Sequence, residues 1–289
     1  MTTTKKTVLI TGCSPGGIGH ALCREFHSKG LRVFATARSK DVLADLAGAG
    51  METLSLDVNS AESVREVKAA VETLTGGKLD VLVNNAGRNY TVPALDLDFD
   101  EVQNTFETNV FGVMRMCQAF APLLIQAKGT ILQIGSVAAY MPFIFGATYN
   151  ATKAALHAYS TTMRLELAPF GVKVMVMVTG GVQSRIARTD RNLPADSLYH
   201  PVNTEYQRRI KFSQEGAMPA ETYARDVVRK VLRTSPPVLS WGGGKIWLVY
   251  FLNLLFPITI WDYIFPRIFG MNRLAALVKA SEKNAKKGV

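Results

Sequence analysis

The chain has 289 residues, of which 48% are hydrophobic and 19% charged. That balance excludes a disordered chain and supplies enough apolar material for one large domain or two small ones. Thirty-three Lys and Arg against 23 Asp and Glu leave a formal charge of +10 at pH 7, which favours anionic company: phosphorylated ligands, acidic lipid headgroups or nucleic acid.

Lys5 and Lys6 run straight into a short apolar strand, with no longer apolar region and no small-residue cleavage site, so no signal peptide is expected. Strand-like runs occupy residues 7–11, 32–36, 53–56, 81–84, 130–134 and 173–178. Each is short, apolar and bounded by turn residues, as a sheet buried on both faces requires. Amphipathic stretches of helical length fall between them, at 20–29, 61–74 and 99–127. This alternation predicts an α/β fold with a doubly wound parallel sheet. Residues 183–219 break the rhythm: they are polar, expected to be loop-rich, and biased to base by Arg185, Arg188, Arg191, Arg208, Arg209 and Lys211. A helix is expected over 220–233, followed by a short run at 236–240. Trp241-Gly242-Gly243-Gly244 and a strongly apolar, aromatic stretch at 246–269 follow. The tail, with Lys279, Lys283, Lys286 and Lys287, is expected to fray.

Cys13, Cys23 and Cys117 make neither an even set nor a CxxC pair, so a reducing compartment is the default and no cysteine zinc site is expected. The four histidines, His20, His27, His157 and His200, lack metal-ligand spacing and read as surface or helix-packing residues; no metal is predicted. Met175 and Met177 read as core.

The first strand ends in Thr11-Gly12-Cys13-Ser14-Pro15-Gly16-Gly17-Ile18-Gly19, and a helix follows. Such a turn lets backbone N–H groups approach a pyrophosphate at the positive end of the helix. The second strand runs into Arg38 with no acid beside it. An acid there would hold the ribose 2′-hydroxyl of NAD; an arginine matches a 2′-phosphate and predicts NADP.

In this order these features resemble the short-chain dehydrogenases/reductases, over residues 6–233. The motifs that carry the resemblance are the glycine loop, Asp57-Val58, Asn84-Asn85-Ala86-Gly87, Asn109, Ser136 and Tyr149-Asn150-Ala151-Thr152-Lys153. Tyr149 stands 13 positions after Ser136. The resemblance implies a Rossmann fold and an NADP-dependent oxidoreductase acting on a small-molecule alcohol or ketone. Gly12, Ser14, Gly17, Ile18, Gly19 and Arg38 are the expected nucleotide contacts. Asp57 and Val58 are expected at the adenine, Asn85, Ala86 and Gly87 along the cofactor, and Gly181, Val182 and Ser184 against the nicotinamide.

Reducing a ketone leaves an alkoxide that must be protonated, and a free phenol with a pKa of ~10 is a poor catalyst near neutral pH. Tyr149 and Lys153 are four apart and share a helix face, so the ammonium is expected to lower the phenol's pKa. Tyr149 is the expected general acid, Lys153 its tuner and a ribose ligand, and Ser136 a donor to the substrate oxygen. Asn109 is expected to support Lys153 through a water. Two departures from the family pattern stand out. Four residues, Cys13 to Gly16, separate Gly12 from Gly17 where the family has three between its first and second glycines, which leaves open whether Gly16 or Gly17 takes the tight turn. Thr179-Gly180 replaces the usual Pro-Gly, which is expected to loosen the loop beneath the nicotinamide.

The NADP-type arginine, the Thr-Gly-Cys-Ser opening, Thr179-Gly180-Gly181-Val182 and the apolar terminus are most similar to fungal NADPH-dependent 1-acyldihydroxyacetone-phosphate reductases. That subgroup includes reductases of natural-product pathways. The expected division is a catalytic domain at 1–240 and an apolar helical extension with a basic tail at 241–289. The extension caps the substrate site or anchors the protein on the endoplasmic reticulum or a lipid droplet; otherwise the protein is cytoplasmic. Three functions are carried forward: reduction of a phosphorylated lipid ketone, reduction of a polyketide, terpene or steroid ketone, and non-catalytic binding at a lipid surface. No aromatic–basic motif supports a nucleic-acid partner. The resemblance also implies a homodimer or homotetramer.

Overall fold

The computed structural model describes residues 5–186 and 191–286. Seven strands, β1 (Thr7–Ile10), β2 (Arg32–Ala37), β3 (Glu52–Ser55), β4 (Val81–Asn84), β5 (Thr130–Ile134), β6 (Lys173–Thr179) and β7 (Leu239–Gly242), form one sheet. Its order is β3-β2-β1-β4-β5-β6-β7 and every pairing is parallel. The helices are α1 (Ile18–Ser28), α2 (Ala44–Gly48), α3 (Ala61–Thr75), α4 (Phe99–Phe106), α5 (Gly112–Ala127), α6 (Ala147–Leu167), α7 (Asn203–Lys211), α8 (Ala220–Val231), α9 (Ile246–Leu255), α10 (Ile260–Ile268) and α11 (Met271–Ala285). The expected doubly wound sheet is present, and the short β-branched runs form its strands.

Successive strand residues point to opposite faces, and both faces are apolar here. Val8 and Ile10 of β1 pack with Leu22 and Phe26 of α1 and with Val227 and Val228 of α8. Leu9, between them, joins Val67 of α3, Phe120 of α5 and Leu156 of α6 on the other face. Met175 and Met177 are fully buried on the α1–α8 side, as expected. The 99–127 stretch is one helical run in which a π turn, Glu107–Phe111, joins α4 to α5. It is long and apolar enough to cross a membrane, but Val113, Met116, Phe120 and Leu124 bury its inner stripe against the sheet.

Ser240, the last residue of the expected catalytic domain, lies inside β7 and pairs with Met177 of β6. The apolar extension therefore begins within the sheet. Ile246 of α9 and Trp261 and Phe265 of α10 pack with Val137, Met141 and Val178 in a third apolar cluster. Lys287 lies outside the described residues; among the described ones the tail differs from its expected fraying, since α11 continues to Ala285. Its Ala, Leu, Lys and Glu residues are strong helix formers, and Arg273 ties it to Glu205 at 2.8 Å and to the Pro201 carbonyl at 2.6 Å.

Candidate active site

A cavity of about 1120 Å³ opens at the C-terminal ends of the strands. It lies where the strand order reverses between β1 and β4, the place an open parallel sheet leaves for a ligand. Gly12, Ser14, Gly17, Ile18, Arg38, Asp57 and Val58 stand on its wall, together with Asn85, Ala86 and Gly87. Ser136, Tyr149, Lys153, Gly181, Val182 and Ser184 share the same cavity. Two expected residues stand behind the wall. Gly19 lets the loop close, because a Cβ there would lie 2.5 Å from the Gly12 carbonyl oxygen and from Asn85 Nδ2. Asn109 is the other.

The loop geometry settles which glycine makes the tight turn. Gly12 and Gly16 both have φ +71°, whereas Gly17 is the extended N-cap of α1. No side chain caps α1 and no acid sits in its first turn, so its leading N–H groups and positive end face an anion unopposed. Asn85 Nδ2 fastens the loop from beneath, donating to the Thr11 carbonyl at 2.8 Å and the Gly12 carbonyl at 2.9 Å. Arg38 is exposed at the end of β2, with no described carboxylate within 4 Å of its guanidinium. A bare helix N-terminus, backbone that approaches closely and an unpaired arginine fit a dinucleotide bearing a 2′-phosphate.

Tyr149 and Lys153 lie one turn apart on α6, with Lys153 Nζ 5.8 Å from the centre of the phenol ring. Nζ donates to the Ile134 carbonyl at 3.0 Å. Burial lowers this ammonium to about 8, so it remains charged at neutral pH. Burial also pushes the Tyr149 phenol above its ordinary value, opposed by the nearby Ser136 hydroxyl and by the Arg209 guanidinium. The net shift is upward rather than the expected downward one, and the cation that opposes it is Arg209, on another helix, not Lys153.

Ser136 has extended backbone and its Oγ accepts the Ala138 N–H at 3.1 Å, which leaves its own proton to donate elsewhere. Asn109 has no direct hydrogen bond to Lys153 among the described residues, although both side chains lie beside Gly87. Its Nδ2 donates to the Arg88 carbonyl at 2.9 Å and Thr152 Oγ1 at 3.1 Å, while its Oδ1 accepts the Arg88 N–H at 2.9 Å. It fixes the loop after β4 against α6.

The loop after β6 is tied down, contrary to the loosening expected from the missing proline. Thr179 Oγ1 and the Tyr223 hydroxyl share a buried hydrogen bond of 2.6 Å. Gly180 N–H donates to the Gly242 carbonyl at 2.8 Å and Gly244 N–H to the Gly181 carbonyl at 2.7 Å. A Cβ on Gly180 would meet the Gly244 oxygen at 2.6 Å, so the glycines after Trp241 allow two backbones to touch.

The basic residues at 183–219 separate into different roles. Arg191 pairs with Glu101 at 3.0 Å and Arg208 with Glu215 at 3.0 Å. Arg188 lies outside the described residues. Arg185 is exposed at the cavity rim, and Arg209 is 6% exposed on its wall. Nothing in the spacing of these arginines distinguished Arg209, because its inward turn depends on how α7 packs. His157, expected to be a surface or helix-packing residue, is buried on α6 against Ser136. Its Nε2 accepts the Ser136 N–H at 3.2 Å, and its ring fills the space a Cβ at Gly135 would need. The Gly135-Ser136 pair was its one trace in the sequence.

Apolar side chains from the C-terminal helices complete the cavity: Leu248, Val249 and Leu252 of α9, and Trp261, Ile264 and Phe265 of α10.

This arrangement has counterparts. Residues 6–193 match the family model described as short chain dehydrogenase. Short-chain dehydrogenase virD of Hypocrea virens is 41% identical over 276 residues, which are 95% of this chain and 96% of that protein. The NADPH-dependent 1-acyldihydroxyacetone phosphate reductase of Schizosaccharomyces pombe is 44% identical over 263 residues, 89% of this chain and 85% of that one. A solved alcohol dehydrogenase of the archaeon Thermococcus sibiricus, complexed with 5-hydroxy-NADP, is similar with a TM-score of 0.70 at 26% identity; the match covers 84% of this chain and 97% of that one. A family model matched over residues 6–193 and relatives more than 40% identical over most of the chain show that it belongs to the short-chain dehydrogenase family.

Proposed function

We propose that this oxidoreductase is an NADPH-dependent reductase of a lipid-like ketone, with 1-acyldihydroxyacetone phosphate its best substrate. The observation that carries the reading is the shared wall of one cavity. The glycine loop and Arg38, the Ser136–Tyr149–Lys153 group, and the apolar residues of α9 and α10 all face the same space. NADPH, when bound, supplies the hydride. The N-terminus of α1 and the Gly12–Gly17 turn receive its pyrophosphate, and Arg38 its 2′-phosphate.

Ser136 donates its free proton to the substrate carbonyl oxygen and polarises it. Tyr149 gives up its proton as the alkoxide forms. Because burial raises this phenol, it stays protonated at neutral pH, the form a reductase needs. Lys153 and Arg209 then stabilise the phenolate left behind. His157 holds the Ser136 backbone from behind and takes no part in proton transfer, since burial and the nearby Lys153 keep its own proton affinity low, at about 4.

The apolar lining admits an acyl chain, which the 1-acyldihydroxyacetone phosphate reductase relative also handles by its name. A second reading rests on the ring-rich wall: Phe143, Phe212, Trp261 and Phe265 suit a flat polyketide or steroid ketone. We also place the protein on a lipid surface, that of the endoplasmic reticulum or a lipid droplet. Trp247, Phe251 and Leu254 are exposed on α9 at 61%, 51% and 63%, a stripe with the spacing of one helix face.

An NADPH-oxidation panel tests the substrate. Wild-type protein is offered 1-acyldihydroxyacetone phosphate, a steroid ketone and a polyketide ketone at equal concentration. The reading predicts the highest kcat/KM for the phosphorylated lipid; a ring ketone at least tenfold better transfers the assignment to the second reading.

A further inference from the structure

Arg209 is a buried cation whose charge has no partner. It extends from α7, is 6% exposed, and has no described carboxylate within 4 Å. Burying an unpaired guanidinium is costly, and burial drags this one down to about 10. Yet it is held firmly. Its Nε donates to the Ile144 carbonyl at 2.9 Å, and its guanidinium carbon lies 4.5 Å from the centre of the Phe143 ring. The turn that presents that carbonyl is strained: Phe145 has φ +62°, a region a bulky side chain avoids. Edge-on packing of the Phe145 ring against Tyr199 and Tyr206 holds it there.

This tether uses only Nε. The Nη1 and Nη2 groups have no hydrogen-bond acceptor among the described residues, and the side chain stands on the cavity wall near Tyr149. A rigid, half-used guanidinium fork in a low-dielectric wall is preorganised for two parallel bonds to an oxyanion. Lysine at this position would lack both the fork and the stacking face.

We propose that Arg209 is a specificity-determining anion subsite, whose two Nη groups bind an oxyanion that the substrate carries a few bonds from its reacting carbonyl. The proposal deepens the reductase reading and rests on it for the word substrate. A phosphate monoester and a carboxylate both offer this chemistry.

The test measures binding, so that it does not depend on turnover. Full-length protein saturated with NADPH is titrated with three short-chain, ketone-free probes of equal acyl length: 1-acylglycerol 3-phosphate, the neutral monoacylglycerol and the fatty acid. Wild-type protein is expected to bind at least one anionic probe tenfold or more tighter than the neutral one, and the preferred anion names the source. Arg209→Gln should erase that ratio, and Arg209→Lys should recover only part of it. Arg208→Gln, on the outward neighbour paired with Glu215, should keep it. No anion preference in the wild type, or the same preference in Arg209→Gln, overturns the proposal. If Arg209→Gln fails to give a cooperative unfolding transition, Arg209→Lys carries the comparison, and an undiminished ratio in it overturns the bidentate subsite. Absence of NADPH oxidation with every ketone would defeat the reductase reading separately, leaving these affinities interpretable.

Discussion

His157 shows how a single side chain can support catalysis without touching the reaction. To accept the Ser136 N–H its Nε2 must be unprotonated, and its Nδ1 is buried without a partner. The folded protein therefore resists protonating this ring, whose value falls to about 4 against 6.5 in an unfolded chain. Between those values the unfolded chain takes up a proton that the folded one refuses, so stability present above pH 6.5 is lost as the pH falls toward 4. The loss reaches about 3 kcal/mol. Urea midpoints measured between pH 7 and 4.5 should drop more steeply for wild-type protein than for His157→Gln; parallel curves would contradict the account. Residues of this kind mark the limit of what the sequence discloses. Tyr149 and Lys153 are legible because chemistry fixes their types and a helix fixes their spacing, and Ser136 because it stands in the family's motif order after the fifth strand. His157, Arg209 and Asn109 act through partners brought in by tertiary packing, which no spacing in the sequence announces.

At the level of elements, the strands were legible because a sheet covered on both faces needs uninterrupted apolar runs, and these runs are bounded by turn residues. The segment at 183–219 was not, since α7 is a short polar helix whose inward residues are Tyr206, Arg209 and Ile210. The 246–269 stretch was ambiguous for a different reason: its first half, Ile246–Leu255, is apolar almost all round, so its pattern does not say which face is buried. The structure resolves it into α9 and α10, of 10 and 9 residues, well short of the ~20 a spanning helix needs. Both helices serve the cavity, and α9 also turns Trp247, Phe251 and Leu254 outward. If that outer stripe docks on lipid, replacing Trp247 and Phe251 together by serine should lower flotation with anionic vesicles severalfold. An unchanged flotation yield would remove the membrane from the account.

At the scale of the whole molecule, one crevice joins two recognition problems. The topological reversal between β1 and β4 creates the nucleotide end. The extra strand β7 and the glycines after it carry the chain across to α9 and α10, which build the apolar end. Between them stands a half-buried phenol flanked by a serine and two cations, and the account depends on that phenol as the proton donor. The most direct measurement is therefore made on Tyr149→Phe, comparing NADPH oxidation with NADPH affinity against wild type. Removing the hydroxyl should reduce turnover by at least a hundredfold while NADPH affinity stays within about threefold. Turnover within tenfold of wild type, with the cofactor still bound, would contradict the assignment of Tyr149 as the acid.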